Sequence, residues 1–181
     1  MAELLVLDLV EKGLVTNQMV LTVGYDIANL TDPEIRKYYT GPVVTDHYGR
    51  KIPKHSHGTA NLPRFSSSTT MIVDAVMELF DRIIDPNLLV RRLNIVACHI
   101  VPESAVPKDS GFQQLDLFAD FDAEQKKKED EEAEALREKR RQKAVLSIKK
   151  RFGKNAIVKG MNLEEGATAM DRNRQIGGHK A

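Results

Sequence analysis

Apolar residues in the first hundred positions follow two rhythms. Leu4, Leu5, Leu7 and Val10 recur at helical spacing, which predicts an amphipathic helix over about residues 2–12, with Gly13 as its C-terminal stop. The run NQMVLTVGYDI, residues 17–27, is rich in β-branched and apolar side chains and predicts a strand. Asp32, Pro33 and Glu34 form an opening for a short helical turn. Gly and Pro then punctuate residues 40–65, and the expectation there is a hairpin or irregular excursion around Val43, Val44 and Tyr48. Met71, Ile72, Ala75, Val76, Leu79, Phe80 and Ile83 form the clearest apolar stripe. A Ser67 or Ser68 cap precedes it and Asp85-Pro86 ends it, so a helix is predicted between them. The next run, LLVRRLNIVACHIV, predicts a strand; its end is apolar on both faces, which places it centrally in a sheet. Helix, strand, excursion, helix, strand is an α+β order. It predicts a small antiparallel or mixed sheet with two helices on one face and the other face left for solvent or a ligand.

After Pro102 charge replaces periodicity. The expected division is a compact domain over 1–101, a tether over 102–119, a charged helix over 120–152 and a Gly-rich, mostly disordered tail over 153–181. Acids lead in the helix (Glu129, Asp130, Glu131, Glu132) and bases follow (Arg137, Lys139, Arg140, Arg141, Lys143), which complements a helix macrodipole. Its first half has no sustained apolar seam, so a coiled coil is not expected there. Ala144, Val145, Ile148 and Phe152 predict a small docking face in its second half.

Composition narrows the function classes. The 181 residues carry a formal net charge of +1, so nucleic-acid binding has to rest on local patches rather than on overall charge. Cys98 is the only cysteine, which excludes an intrachain disulfide and makes a reducing, cytoplasmic setting the expectation. Neither a signal peptide nor a membrane span is expected, because acids interrupt the N-terminal apolar run and no window reaches 18 apolar residues. His47, His55, His57, His99 and Cys98 lack structural-zinc spacing, and Cys98 and His99 would point to opposite sides of a strand. No metal, cofactor or catalytic constellation is therefore expected in this chain.

One apolar cluster lies outside any predicted core: Gln114-Leu115-Asp116-Leu117-Phe118. Average residue usage puts the pattern Gln-Leu-any-Leu-Phe in roughly 0.3% of chains this long. It follows PESAVPKDSG, a stretch long enough to reach ~30 Å. Closely spaced apolar anchors on a tether suit a preformed groove on a partner; the plainer reading is a segment folded back on its own domain. QLDLF resembles the sliding-clamp-binding peptide of bacterial DNA polymerases and repair proteins. That resemblance implies a bacterial sliding clamp as partner, Gln114 as polar anchor, and Leu115, Leu117 and Phe118 as apolar anchors.

The preceding hundred residues sharpen the likeness. LLVLDLVEKGLVTNQMVLTVGYD, DHYGRKIPKHSHGTANLPRFSSST and AVMELFDRIIDPNLLVRRLNIVACHIV resemble the C-terminal little-finger domain of Y-family translesion DNA polymerases, the UmuC/DinB-like group. In that family a tether and clamp peptide follow the domain's last strand. The resemblance implies DNA repair and damage tolerance, including the SOS response, with the uncovered sheet face gripping DNA phosphates. Alternation then puts Thr22, Gly24, Arg92 and Asn94 on that face, and Arg50, Lys51, Lys54 and Arg64 add charge from the excursion. The family's sheet has a strand before its first helix, so one strand is expected to be missing here. The polymerase's N-terminal palm, fingers and thumb are likewise expected to be missing, and the resemblance implies that the Mg²⁺ of the parent polymerase belongs with them. The expectation is a non-catalytic DNA-binding and clamp-tethering region. The alternative is an interaction adaptor of replication or repair that uses the charged helix and QLDLF.

Overall fold

The computed structural model describes residues 1–106, 121–176 and 179–180. Helix α1 (Ala2–Lys12) buries Val6 and Leu9 and stops at Gly13, whose φ of 64° lets its N–H reach the carbonyls of Leu9 and Val10. Strand β1 (Leu14–Tyr25) follows directly. Two single-turn helices come next, α2 (Ala28–Thr31) and α3 (Pro33–Arg36); the Asp32 carboxylate caps the second by accepting from the Glu34 N–H. Strands β2 (Val43–Thr45) and β3 (Lys51–Pro53) form a hairpin. Strand β4 (Ser56–Ser66) leads into helix α4 (Thr69–Ile83), and β5 (Val90–Cys98) continues into the short β6 (Val101–Pro102). Helix α5 (Phe121–Phe152), the single-turn α6 (Ala169–Asn173) and a two-residue pairing of β7 (Gln175–Ile176) with β8 (His179–Lys180) complete the chain. No helix among the described residues is long and apolar enough to cross a membrane.

The sheet is antiparallel, in the order β4-β1-β5, with β6 pairing the start of β1. Strand β1 is thus the central strand. The expectation that the LLVRRLNIVACHIV strand lies centrally is corrected: among the described residues β5 has a partner on one side only. Its second apolar face is Val96, which is 50% exposed and sits opposite Val20 on the uncovered side of the sheet. An outward valine pair imitates a doubly buried strand in the sequence.

Helices α1 and α4 both pack on one face of this sheet. Val6 and Leu9 of α1, Ile72 and Val76 of α4, Met19, Leu62 and Ala97 form one buried cluster. Leu21, Val23, Tyr25, Tyr39, Leu79 and Leu88 form a second beside it. Each such side chain contributes about 1.5–3 kcal/mol on leaving water. The residues predicted for the α4 stripe face this core, and Ser68 is the cap, accepting from the Met71 N–H.

Strand β4 is the element that periodicity misses. Its inner face is Ser56, Gly58, Ala60 and Leu62, too small and polar to read as a strand. The small residues are there because α4 lies close: a Cβ added at Gly58 would come within 2.7 Å of Leu79 Cδ1 and 2.9 Å of Ile83 Cγ2. At the sheet's edge Arg82 of α4 donates to the Thr59 carbonyl, occupying one edge acceptor.

The second half of α5 lies on α1 and on the start of α4, but not through the residues expected. Ala144 is exposed, as are Ile148 (37%) and Phe152 (66%); only Val145 of the four is half-buried. The docked stripe is Glu138, Gln142, Val145 and Leu146. Its hydrogen-bonding members, Glu138 and Gln142, are polar, so a search for apolar residues passes over them.

Gly58→Val is expected to destabilise the domain by about 1–3 kcal/mol through overpacking against Leu79. In urea unfolding, Leu79→Ala should cost less in the Gly58→Val background than in the wild type, because the two changes share one space. Strictly additive losses would mean that the close approach at Gly58 is not what the site enforces.

Candidate nucleic-acid interface

Register makes the uncovered face of the sheet a grid. Met19, Leu21, Val23 and Tyr25 point into the core, so Gln18, Val20, Thr22 and Gly24 point away from it. Across the sheet, Asn61, Gln18 and Cys98 form one row, and Thr59, Val20 and Val96 the next. His57, Thr22 and Asn94 form a third row, and Gly24 and Arg92 a fourth. Two rows are cross-linked by side chains: Gln18 Nε2 donates to Asn61 Oδ1 at 2.9 Å, and Thr22 Oγ1 lies 2.9 Å from His57 Nδ1. The expected placement of Thr22, Gly24, Arg92 and Asn94 on one face is what the register produces.

Among the described residues this face contains no carboxylate. The helix side carries the acids instead: Glu3, Asp8 and Glu11 on α1, and Asp74, Glu78 and Asp81 on α4. Those of α1 are each paired with a lysine, Asp8 with Lys12, Glu11 with Lys150 and Glu3 with Lys159, so the helix side mixes both signs, while amides, hydroxyls and Arg92 face the front. Among the described residues Arg91, Arg92, Lys51, Lys54 and Arg64 form no ion pair. The β1–β5 register slips between Gly24 and Tyr25, which leaves Arg91 as an extra residue beside Arg92. Such a bulge re-aims side chains at a sheet's rim, and both arginines are exposed. A Cβ at Gly24 would make only ordinary contacts with Arg92, at 3.6 and 3.8 Å. Packing thus does not demand glycine there.

The end of the sheet that holds Gly24 and Arg92 is fixed by polar side chains. The Tyr25 hydroxyl lies 2.8 Å from Ser56 Oγ and accepts from the Asp85 N–H at 2.9 Å. Asn29, fully buried, donates to the carbonyls of Asp26 and Leu89 and accepts from the Leu89 N–H, so its amide stands in for a strand partner. The β2–β3 hairpin sits at this same end, because β4 begins three residues after Pro53 and Ser56 pairs with Val23. Lys51 and Lys54 are consequently near the Arg92 row. Arg64 is not: it lies at the far end of β4, inside the register jump between Asn61 and Ser66.

Arg50 has a role inside the hairpin. Asp46 Oδ1 accepts from the backbone N–H groups of Tyr48 and Arg50, and Asp46 Oδ2 accepts from Arg50 Nε at 2.8 Å. The Arg50 guanidinium also lies 5.1 Å from the centre of the Tyr48 ring, and Gly49 turns the tip with φ 78°. The Arg50 side-chain hydrogen bond leads in holding the Asp46 carboxyl below its ordinary value; the two backbone N–H groups add to it against the opposing desolvation.

Residues on β4 were not foreseen. His57, Thr59 and Asn61 share the uncovered face, as does Gln18. The signal is the two-residue alternation Gly58, Ala60, Leu62 against His57, Thr59, Asn61, hidden by the small size of the inner set. Gln114, Leu115, Leu117 and Phe118 lie outside the described residues. Among the described residues no group of three or more His, Cys, Asp or Glu side chains is placed to hold a metal ion.

Residues 1–117 match the impB/mucB/samB family C-terminal domain. The chain belongs to this family. The matched region is the C-terminal domain of Y-family DNA polymerases, and with it comes the general setting of DNA repair and translesion synthesis. No curated protein and no solved structure matches the chain. In this Y-family domain the carboxylate-free face is the broad surface that neither α1 nor α4 covers.

Because the Asp46 carboxyl is depressed in the folded hairpin, its contribution is fully present above the range of an unfolded aspartate. It is lost as pH falls through the lower, folded value. Amide spectra should show the Tyr48 and Arg50 N–H resonances moving together in acid, with a midpoint below that of a free aspartate, and Asp46→Asn should abolish the transition. A midpoint at or above the free value would contradict the Arg50 lock.

Proposed function

We propose that the chain is the DNA-gripping and clamp-tethering C-terminal region of a Y-family translesion polymerase, working in the cytoplasm. The observation that carries this reading is the uncovered sheet face: among the described residues it holds no carboxylate, it carries Arg92 with Arg91 beside it, and Lys51 and Lys54 lie on the hairpin at the same end of the sheet. Such a surface holds a phosphate backbone by charge and by amide and hydroxyl donors, without selecting sequence. Indifference to sequence suits a template with damaged bases. Gly24 lets a backbone approach the sheet beside Arg92.

The pentapeptide Gln114–Phe118 supplies the second half of the function. Docked on a bacterial sliding clamp through Leu115, Leu117 and Phe118, with Gln114 at the groove's edge, it keeps the grip close to the primer end. The gain is one of effective concentration and needs no added DNA contact. Damaged primer–template DNA and the clamp are thus the two partners. The Mg²⁺ of polymerisation belongs with palm carboxylates outside these residues.

Salt-titrated binding to primer–template DNA tests the grip. The logarithm of affinity should fall steeply with the logarithm of salt, and Arg92→Ala should lower that slope by about 0.9 per phosphate contact removed. Asn94→Ala should weaken binding with no change in slope. A shallow slope with micromolar or weaker binding at low salt would favour the adaptor reading. For the tether, Leu117→Ala with Phe118→Ala should abolish clamp binding in calorimetry while circular dichroism stays unchanged; clamp affinity equal to the wild type would refute that role.

A further inference from the structure

The first four backbone N–H groups of a helix have no partner within it. In α4 all four are satisfied, by two different routes. Counted from the Ser68 cap, the outer two are served locally: Ser66 Oγ accepts from the Ser68 N–H and Ser68 Oγ from the Met71 N–H. The two between them, those of Thr69 and Thr70, are served from the far end of the chain: Glu138 Oε1 accepts from both, at 2.6 and 3.2 Å. One turn further along α5, Gln142 is buried and donates to the Ser67 carbonyl and to Thr69 Oγ1, each at 2.9 Å. Helix α5 thus completes the cap of a helix about seventy residues earlier. Its carboxylate also sits at the positive end of the α4 macrodipole.

The rest of the attachment is ionic. Lys139 pairs with Glu103, Lys150 with Glu11 at 2.7 Å, and Lys159, beyond the end of α5, with Glu3. These pairs are exposed, so each is weak and screened by salt. The apolar share is small: Val145 and Leu146 are only half-buried, and Leu136, Ile148 and Phe152 remain exposed. The two core clusters contain no residue of α5. The domain's core therefore closes without α5, whereas the corner from Ser66 to Thr70 does not.

We propose that α5 is a detachable brace: it docks by the Glu138–Gln142 cap on α4 and releases, as salt rises, without unfolding the sheet and its two helices. Docked, it orders the corner where β4 turns into α4. Released, it uncovers the Ser67 carbonyl and the Thr69 and Thr70 N–H groups, while the Ser68 cap keeps the helix wound. Every contact in the brace is internal to the chain.

Residue-resolved hydrogen exchange on the full 181-residue chain reads the brace directly. At low salt the Thr69 and Thr70 amides should be protected, and Glu138→Ala should speed their exchange by at least about tenfold, since a hydrogen bond to a charged group is lost from each. Met71 and Ile72, capped by Ser68, should keep their protection, as should Leu21 and Val23 in the core. Molar salt should reproduce the Glu138→Ala pattern in the wild type, and Gln142→Ala should lower the salt needed. Unchanged exchange at Thr69 and Thr70 in Glu138→Ala would overturn the cap. Loss of protection at Leu21 and Val23 in step with Thr69, in salt or in either variant, would overturn detachment and make α5 an inseparable part of the fold.

Discussion

The domain depends on the burial of one side of β1. Met19, Leu21, Val23 and Tyr25 lie under α1 and α4, each almost fully removed from water. A strand's side chains alternate strictly, so this burial dictates what the other side presents. A register slip of one residue would turn Gln18, Val20, Thr22 and Gly24 into the core, and four nearly full apolar burials forbid it. The uncovered face is therefore as rigidly specified as the core. It was not assembled by loops, and its grid of amides, hydroxyls and arginine comes from pairing β4 and β5 to the same central strand.

Polar side chains finish what burial begins. Where β1 leaves the sheet, Tyr25 ties β1 to the starts of β4 and of the α4–β5 connection, and Asn29 ties α2 to Leu89. Where β1 enters it, the Thr16 hydroxyl donates to the Cys98 carbonyl across the gap between β5 and β6. Among the described residues no buried side-chain nitrogen or oxygen lacks a partner. Each of these links holds an end of the grid.

What could be read from the sequence was what is local. The α1 stripe with Gly13, the Asp32 and Ser68 caps, and the alternation that sorts Leu21 from Thr22 all act within a few residues. What could not be read depends on distant neighbours. Strand β4 has small inner residues because α4 presses on Gly58, and that pressure is invisible from residues 56–66 alone. Val96 mimics a buried position because its neighbour across the sheet is another outward valine, Val20. The α5 attachment rests on a carboxylate and an amide that look like ordinary surface. For the interface, alternation grouped Thr22, Gly24, Arg92 and Asn94. Charge alone could neither tell that Asp46 holds Arg50 nor that Arg64 lies at the wrong end of β4.

The central claim is that DNA lies on the uncovered face of β1 and its two neighbours. Chemical-shift mapping with a primer–template duplex measures this most directly. The expected footprint is Thr22, Gly24, His57, Arg92 and Asn94, fading as salt rises, with Asp74, Glu78 and Asp81 on α4 unmoved. A footprint on α1 or α4, or one on the sheet that salt leaves intact, would contradict it.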